Sequence, residues 1–192
     1  LTVTTLIAIL AGAAVSSGLA LAKMWLIRPS GQQQKQLQLK KLGYLLLGGG
    51  AAGLLIGAFV SLLLQETFLL FLGRSPAHIT GATEGLIIGL AAGISYWLLL
   101  TARRAASRQR FNCVAVFQAA VPGLLAGLLI SLGGGVLLAG SLAQLATEFP
   151  NATAGSLLAL DAFSPAQGFS IAGVISAMLE AGLFTTGLTL GL

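Results

Sequence analysis

Residues 42–64 read LGYLLLGGGAAGLLIGAFVSLLL, a run that contains no charged side chain. An α-helix needs about 20 consecutive apolar residues to cross the hydrocarbon core of a bilayer. This run is therefore long enough to span a membrane as a single helix. Four further windows have the same character, and together they predict about five spanning helices. The predicted bounds are approximately 1–27, 42–64 (or as far as 72), 76–101, 113–142 and 165–192.

The composition of the chain supports a membrane location. The 192 residues are 56% hydrophobic and only 8% charged, whereas soluble domains carry about 25% charged residues. The chain therefore has too little charge to cover a water-facing surface. Long apolar runs and 26 glycines favour lipid-packed helices over a β-barrel, whose strands alternate in segments of about 10 residues. We expect an all-α, polytopic transmembrane helical bundle, with residues 1–192 forming a single transmembrane domain.

Charged residues predict the orientation of these helices. Nine of the ten Lys and Arg residues lie in or beside the first and third connections, and only Arg74 lies beside the second. Because basic loops stay on the cytoplasmic side, we expect the N-terminus outside and the C-terminus in the cytoplasm. We expect a multi-pass protein of a bacterial inner membrane or an equivalent membrane, with the lipid bilayer as its first partner. Leu1 and Leu192 both lie inside apolar runs, so we expect a processed chain or a fragment of a longer one.

Several classes of function are not expected from this sequence. It contains no HExxH, GxSxG, Walker lysine or dinucleotide-binding motif. Cys113 and His78 are the only residues of their types, so we expect no zinc site, no other metal site and no cofactor. The net charge of +5 lies in short loops between apolar runs, which is typical of topology signals. We therefore predict neither an enzyme nor a nucleic-acid-binding protein.

Every window carries small residues spaced four positions apart, which places them on one helix face. Helix backbones approach closely at such faces and gain dispersion contacts that lipid does not replace. We interpret these glycine-zipper-like stripes as packing faces of a tight bundle, or as faces for self-association or for other membrane helices. The alternative is that small residues are simply common in membrane helices. The stripes are Ala8, Gly12, Ser16 and Ala20; Gly49, Gly53 and Gly57; Gly81, Gly85, Gly89 and Gly93; Gly123, Gly127, Ser131 and Gly135; and Gly173, Ala177 and Ala181.

The windows also indicate an internal repeat of two helical hairpins, formed by the second and third windows and by the fourth and fifth. Each returning helix begins with the same triplet, Ser75-Pro76-Ala77 in one hairpin and Ser164-Pro165-Ala166 in the other. Serine at an N-cap followed by proline favours a helix start. Deeper in the helices, an offset of 96 residues aligns Glu84 with Glu180 and brings their small-residue stripes into register. Both hairpins run the same way, so we predict a parallel repeat, in which the first helix matches the second half of a hairpin.

Two acids are the main candidates for chemistry. Glu84 is predicted about two turns inside the third helix, and Glu180 near the middle of the fifth. A charged side chain inside the bilayer costs at least about 2.5 kcal/mol. Either the two acids form a proton or cation site between helices, or each donates a hydrogen bond across a helix contact while protonated. Glu66 near the outer interface and His78 at the outer end of the third helix are weaker candidates.

Two functions remain open from the sequence. The first is a small transport or channel-type bundle that moves protons, cations or a small solute past Glu84 and Glu180. The second is a non-transporting membrane module that anchors or assembles a larger protein or complex through its glycine stripes. The matched positions of the two acids favour the first slightly, and the lack of any soluble domain favours the second.

Overall fold

The fold is known from a computed structural model, which describes residues 2–26, 34–72, 81–105, 113–135, 137 and 171–191. These residues form five α-helices and contain no β-strand, so the all-α prediction is confirmed for the described part of the chain. The helices are α1 (Thr2–Leu26), α2 (Gln34–Leu72), α3 (Ala82–Ala105), α4 (Cys113–Leu132) and α5 (Ile171–Gly191).

Among the described residues, three helical segments are long and apolar enough to cross a membrane. They are Leu39–Leu63 in α2, Ala82–Ala102 in α3 and Ile171–Gly191, which is the whole of α5. Two shorter apolar segments, Ile9–Met24 in α1 and Val116–Leu132 in α4, accompany them. These lengths and compositions are compatible with a protein embedded in a membrane.

The outward-facing side chains agree with an apolar surrounding. Many large aliphatic residues point away from the helix contacts, for example Leu47, which is 71% exposed, and Leu183, which is 73% exposed. Each such side chain in water forgoes about 1.5–3 kcal/mol relative to burial. Hydrocarbon removes that penalty, and extended exposed apolar surfaces of this kind mark membrane or partner contacts.

The helix α2 extends beyond its predicted bounds at the start. It begins at Gln34 and not near residue 42, and it continues to Leu72, the farther of the two predicted ends. The added first turns contain Lys35, Lys40 and Lys41. Lysine and glutamine are good helix formers, so the helix continues past the point where the apolar run ends. The predicted bounds followed hydrophobicity alone and therefore missed this polar extension.

The helix α3 begins later than predicted. Gly81 is not helical, and its carbonyl accepts the first helical hydrogen bond, from the Gly85 N–H at 3.1 Å. Gly81 is therefore the N-cap residue of α3. The predicted continuous helix is therefore interrupted at Gly81, and the described helix starts at Ala82. Residues 73–80, including Pro76 and His78, lie outside the described part of the chain.

The helix α4 ends at Leu132, although the apolar window continues to residue 142. Gly134 adopts a left-handed conformation with φ of 76°. The Gly134 N–H donates to the Ser131 carbonyl at 3.2 Å, and the Gly135 N–H donates to the Ile130 carbonyl at 2.9 Å. This pair of bonds is a Schellman motif, which ends a helix where glycine tolerates the left-handed conformation. The predicted end was wrong because the Gly133–Gly135 run was counted as part of an apolar span.

The helices pack in two extensive pairs, α2 with α3 and α4 with α5. The helix α1 packs on α2, and α3 packs on α4, so that α3 connects the two pairs. Two clusters of buried side chains form the core. One combines residues of α1, α2, α3 and α5, namely Val15, Leu19, Ala22, Leu45, Ala92, Tyr96 and Leu188. The other combines residues of α4 and α5 with Leu137, namely Ile130, Leu137, Ala177 and Ala181, and Ile87 and Ile88 of α3 pack against it.

Candidate functional site

The contact between α2 and α3 is made by glycines of both helices. A Cβ added to Gly53 would collide with the carbonyl oxygen of Gly85, and a Cβ added to Gly85 would collide with the carbonyl oxygen of Gly53. Gly49 and Gly89 oppose each other in the same reciprocal way. Any side chain at these four positions would force the helices apart. The close approach of α2 and α3 therefore depends on glycine.

The same contact continues at both ends. A Cβ on Gly57 would lie 2.7 Å from the Gly81 carbonyl oxygen, and a Cβ on Gly93 would lie 2.7 Å from the Leu45 carbonyl oxygen. From Leu45 to Gly57 the contact follows α2 for about 18 Å at 1.5 Å per residue. Six of the seven glycines that the sequence singled out in the second and third windows thus leave no room for a Cβ beside the partner helix, and the seventh, Gly81, contributes the carbonyl oxygen beside Gly57.

The contact between α4 and α5 is also a close approach of backbones, with Gly123 and Gly127 on α4 and Gly182 on α5. A Cβ on Gly127 would collide with the Ala177 carbonyl oxygen, and a Cβ on Gly123 would lie 2.5 Å from the Ala181 carbonyl oxygen. The Thr185 hydroxyl also fills the space beside Gly123, where it donates to the Ala181 carbonyl at 3.0 Å. Close backbone approach is therefore common to both extensive helix pairs.

The helix α1 uses a different stripe from the one that the sequence singled out. A Cβ on Gly18 would lie 2.6 Å from the Gly48 carbonyl oxygen, and a Cβ on Gly48 would lie 2.6 Å from that of Gly18. Gly12, by contrast, has nothing within 4 Å of an added Cβ. Gly18 has small residues four positions away on both sides, Ala14 and Ala22. The sequence thus holds two stripes of equal spacing in α1, and spacing alone does not tell them apart.

Glu84 lies in the first turn of α3 and not two turns inside a helix. Its Oε2 atom accepts hydrogen bonds from the Gly81 N–H and the Thr83 hydroxyl, both at 2.9 Å. A glutamate at the third helical position that reaches back to the N-cap N–H is one half of a capping box. A carboxylate there also interacts favourably with the positive end of the helix dipole. The described hydrogen bonds of Glu84 therefore serve the start of α3.

Glu84 also lies beside the end of α4. Its Oε1 atom is 3.0 Å from the position that a Cβ on Gly135 would occupy. The N-terminus of α3 and the Schellman turn of α4 are thus adjacent. The missing side chain of Gly135 leaves the room in which this carboxylate lies.

Glu180 occupies a different setting, well inside α5. Its side chain is half-buried, and its Oε1 atom accepts a hydrogen bond from the Ser176 hydroxyl at 3.1 Å. Its neighbours Ala177 and Ala181 belong to the core cluster against α4. Glu180 is therefore an acid in the middle of a candidate span, whereas Glu84 lies at a helix end.

The weaker candidates contribute little to a common site. Glu66 is exposed in α2, beyond the end of the candidate span Leu39–Leu63. His78 lies in the segment that the structure does not describe. Across the described residues, no group of three or more His, Cys, Asp or Glu side chains is arranged to hold a metal ion.

The helix α3 contains two buried polar atoms that no pattern in the sequence predicted. Ser95 Oγ and Trp97 Nε1 are buried and have no hydrogen-bond partner within the described ranges. Five other helical hydroxyls bond to a carbonyl three or four residues earlier, namely those of Ser17, Thr101, Thr185, Thr186 and Thr189. A buried donor without a partner costs about 1–3 kcal/mol, and such donors are therefore usually bonded in folded proteins.

An open apolar groove runs along one side of α1 and α2. Its volume is about 740 Å³, and small residues such as Ala14, Ser17 and Ala51 line it. The larger side chains of Leu55 and Phe59 also line it. Its lining carries no charged side chain, which suits lipid chains or apolar helices.

Comparisons with protein families, with curated proteins and with solved structures found no match for this chain. The features that bear on function are therefore its own helix contacts and its two acids. The contacts are built for close and rigid packing, and Glu84 is bonded as a helix cap. Among the described acids, Glu84 lies at the start of the candidate span Ala82–Ala102, and Glu180 lies in the middle of the candidate span Ile171–Gly191.

Proposed function

We propose that this chain is a multi-pass membrane module that anchors or assembles a larger protein or complex and does not itself transport a solute. The observation that carries this proposal is the reciprocal contact of Gly49 and Gly53 with Gly85 and Gly89. Lipid tails are as apolar as side chains, so membrane helices associate mainly through such close packing. Interdigitated backbones that lack side chains between them favour a rigid platform.

The packing register supports a parallel repeat of two hairpins. Gly57 faces Gly81 in one hairpin as Gly127 faces Ala177 in the other. One turn further, Gly53 faces Gly85, and Gly123 faces Ala181. In both contacts, an offset of 70 residues relates the first helix of one hairpin to the first helix of the other. An offset of 96 residues relates the two second helices. We propose that the two hairpins are copies of one structural unit.

We also propose five crossings, with the N-terminus outside and the C-terminus in the cytoplasm of a bacterial inner membrane or an equivalent membrane. The apolar segments of α1 and α4 and the nine-to-one distribution of basic residues support this topology. Gln33→Cys and Ser107→Cys, each in a Cys113→Ser background, test it by labelling in intact cells. We expect no reaction with an impermeant reagent until the membrane is opened. Labelling of either cysteine from outside would refute the topology.

The anchoring function is tested by the mass of the assembly in the native membrane. The chain, extracted in polymer-bounded lipid discs without detergent, should be recovered in a complex heavier than its own 19.4 kDa. Glu84→Gln and Glu180→Gln should leave that complex intact, because neither removes a packing contact of the glycine faces. Recovery of the wild-type chain only as a single copy without partners would contradict the anchoring proposal.

A second function, proton or cation transport, is favoured by the position of Glu180. It is a half-buried acid inside a candidate span, bonded to Ser176, and acids in such places commonly serve ion or proton pathways. This function predicts flux in reconstituted vesicles that Glu180→Gln abolishes, because glutamine keeps the shape but does not ionise. Glu66→Gln, at an exposed position outside the span, is the matched control and should leave that flux unchanged.

A further inference from the structure

The open groove between α1 and α2 leads to the basic end of α2. On α2 the groove lining follows one helix face, through residues spaced three or four positions apart from Phe59 back to Tyr44. The two positions that continue this face lie three and four residues before Tyr44, and they hold Lys41 and Lys40. Two lysines therefore lie at one end of an apolar groove, a single helical turn beyond its last lining residue on α2. We call this end the basic mouth of the groove.

The basic mouth lies where α2 enters the apolar part of its sequence. The candidate span of α2 begins at Leu39, so Lys40 and Lys41 belong to its first turn. Lysine side chains near the end of a spanning helix lie along apolar surface and bring their ammonium groups to the membrane interface. Tyr44, one turn deeper and exposed, suits the same interface because its ring is apolar and its hydroxyl is polar. The mouth thus offers cationic and hydroxyl donors near headgroup depth.

The length of the groove matches a lipid chain. Its lining on α2 runs from Tyr44 to Phe59, which is about 22 Å at 1.5 Å per residue. One leaflet contributes about half of a hydrocarbon core that is about 30 Å thick. An acyl chain of the leaflet at the basic mouth therefore fits along the groove over its whole length. The volume of about 740 Å³ and the absence of charge from the lining agree with such a ligand.

The shape of the lining favours an acyl chain over a further helix. Leu21, Leu47 and Leu55 line the groove and are each more than half exposed. The close helix contacts of this chain instead bring carbonyl oxygens against glycines, as Gly53 and Gly85 do. Protruding leucines would hold a helix backbone away and prevent the close approach on which helix association in membranes depends. A flexible chain has no such requirement.

We propose that this groove binds an anionic phospholipid of the bilayer, with an acyl chain between α1 and α2 and its headgroup at Lys40 and Lys41. Charge complementarity identifies the ligand. The apolar lining accepts the chains of any phospholipid, but a headgroup with net negative charge gains most from two adjacent lysines. Basic pockets between membrane helices bind anionic headgroups in this way. The site is separate from the glycine contacts and from Glu84 and Glu180, and it goes beyond the anchoring function.

Quenching of a fluorophore in the groove measures which lipid lies there. The fluorophore is attached at Leu55→Cys, an exposed position of the lining, in a Cys113→Ser background. The full chain is reconstituted in phosphatidylcholine vesicles that contain nitroxide-labelled phosphatidylglycerol or nitroxide-labelled phosphatidylcholine. We expect the labelled phosphatidylglycerol to reach half-maximal quenching at a concentration at least about fivefold lower, since one lysine near anionic lipid strengthens binding by about that factor.

Lys41→Gln distinguishes binding at the mouth from a general attraction to the basic end of the protein. This variant should lose about fivefold of the preference for phosphatidylglycerol. Lys23→Gln is the matched control, because it removes one lysine from the corresponding end of α1. Lys23 follows the lining residue Ala22, but its position does not continue the lining face of α1, whose next member would be residue 25. It should keep the wild-type preference.

Ser17→Phe tests the apolar part of the site. Ser17 is an exposed lining residue of α1, so a phenylalanine ring there fills the path along the groove and should abolish the preference for phosphatidylglycerol. Ala20→Phe, at an exposed position of α1 outside the lining, is the matched control and should keep it. Both positions are exposed, so both variants should keep the wild-type melting temperature, which separates loss of lipid binding from unfolding.

Four results would overturn the inference. The first is equal quenching by the two lipids in the wild type. The second is an equal loss of preference in Lys23→Gln and Lys41→Gln, which would indicate a diffuse attraction. The third is a preference that Ser17→Phe leaves intact, and the fourth is the absence of quenching by either lipid, which would show that protein and not lipid covers the groove. The anchoring proposal is tested separately by the mass of the native complex and does not depend on these results.

Discussion

Replacing Gly89 by alanine is the sharpest perturbation of the α2–α3 contact. The added Cβ would collide with the Gly49 carbonyl oxygen and lie 2.9 Å from the Gly49 carbonyl carbon and 3.2 Å from the Gly53 Cα. Ordinary contact requires 3.4 Å or more, so the helices must separate by about 1 Å. A gap of 0.5–1 Å forfeits about a quarter to a half of each atomic contact along the interface.

The net effect follows from two opposing terms. Overpacking costs about 1–3 kcal/mol, and alanine regains about 0.5–1 kcal/mol of helix propensity over glycine. We therefore expect Gly89→Ala to lose free energy of unfolding, by up to about 2.5 kcal/mol, which lowers the melting temperature by up to roughly 10 °C for a chain of this length. Melting in detergent or lipid discs, followed by tryptophan fluorescence, measures the shift.

Gly12→Ala is the matched control, since it makes the same chemical change in an open position of α1. Only the propensity term applies there, so the melting temperature should stay constant or rise. The double variant Gly49→Ala, Gly89→Ala should lose less than the sum of the single variants, because one separation relieves both collisions. Equal melting temperatures for Gly89→Ala and Gly12→Ala would refute the close approach of α2 and α3.

Three further perturbations test other parts of the structure by the same melting assay. Gly127→Ala should destabilise the α4–α5 contact by about 1–3 kcal/mol, whereas Gly187→Ala, with open space around it, should be neutral. Equal melting temperatures for these two variants would count against the α4–α5 contact. Gly134→Ala should cost about 1–2 kcal/mol because of the left-handed backbone, and Gly134→Asn should cost less. Equal stability of the wild type and these two variants would contradict the Schellman turn. Glu84→Ala should lose about 0.5–2 kcal/mol with the cap, whereas Glu84→Gln, which still accepts a hydrogen bond, should lose less. Equal losses in the two variants would contradict this and show that the charge itself is required.

The helical class and the glycine faces of α2 and α3 were accessible from the sequence because both follow from simple periodicity. Apolar runs longer than a bilayer crossing predict helices, and a four-residue spacing predicts which glycines share a face. Gly53 and Gly85 illustrate this, since each blocks the other across the contact. Periodicity did not identify the contact face of α1, where Gly12 and Gly18 lie in stripes of equal spacing.

The helix ends and the role of Glu84 were not accessible in the same way. Hydrophobicity does not change at Gly133–Gly135, yet one left-handed glycine and two backbone hydrogen bonds end α4 there. The Ser-Pro-Ala triplet signalled a helix start earlier than Gly81, and this shifted the expected depth of Glu84 by more than a turn. Glu84 stands three residues after Gly81, and a glutamate three residues after an N-cap residue is part of a capping box. This spacing was the feature of the sequence that indicated the position of Glu84 at the start of α3.

Ion flux through the wild-type chain tests the central proposal most directly. The purified protein in sealed vesicles, with an entrapped pH dye and with tracer monovalent and divalent cations, should show the same proton and cation rates as protein-free vesicles. A membrane platform packed through Gly49, Gly53, Gly85 and Gly89 needs no conducting path. Flux above the protein-free rate that Glu180→Gln abolishes and Glu66→Gln leaves intact would contradict the anchoring account and establish Glu180 as part of an ion pathway.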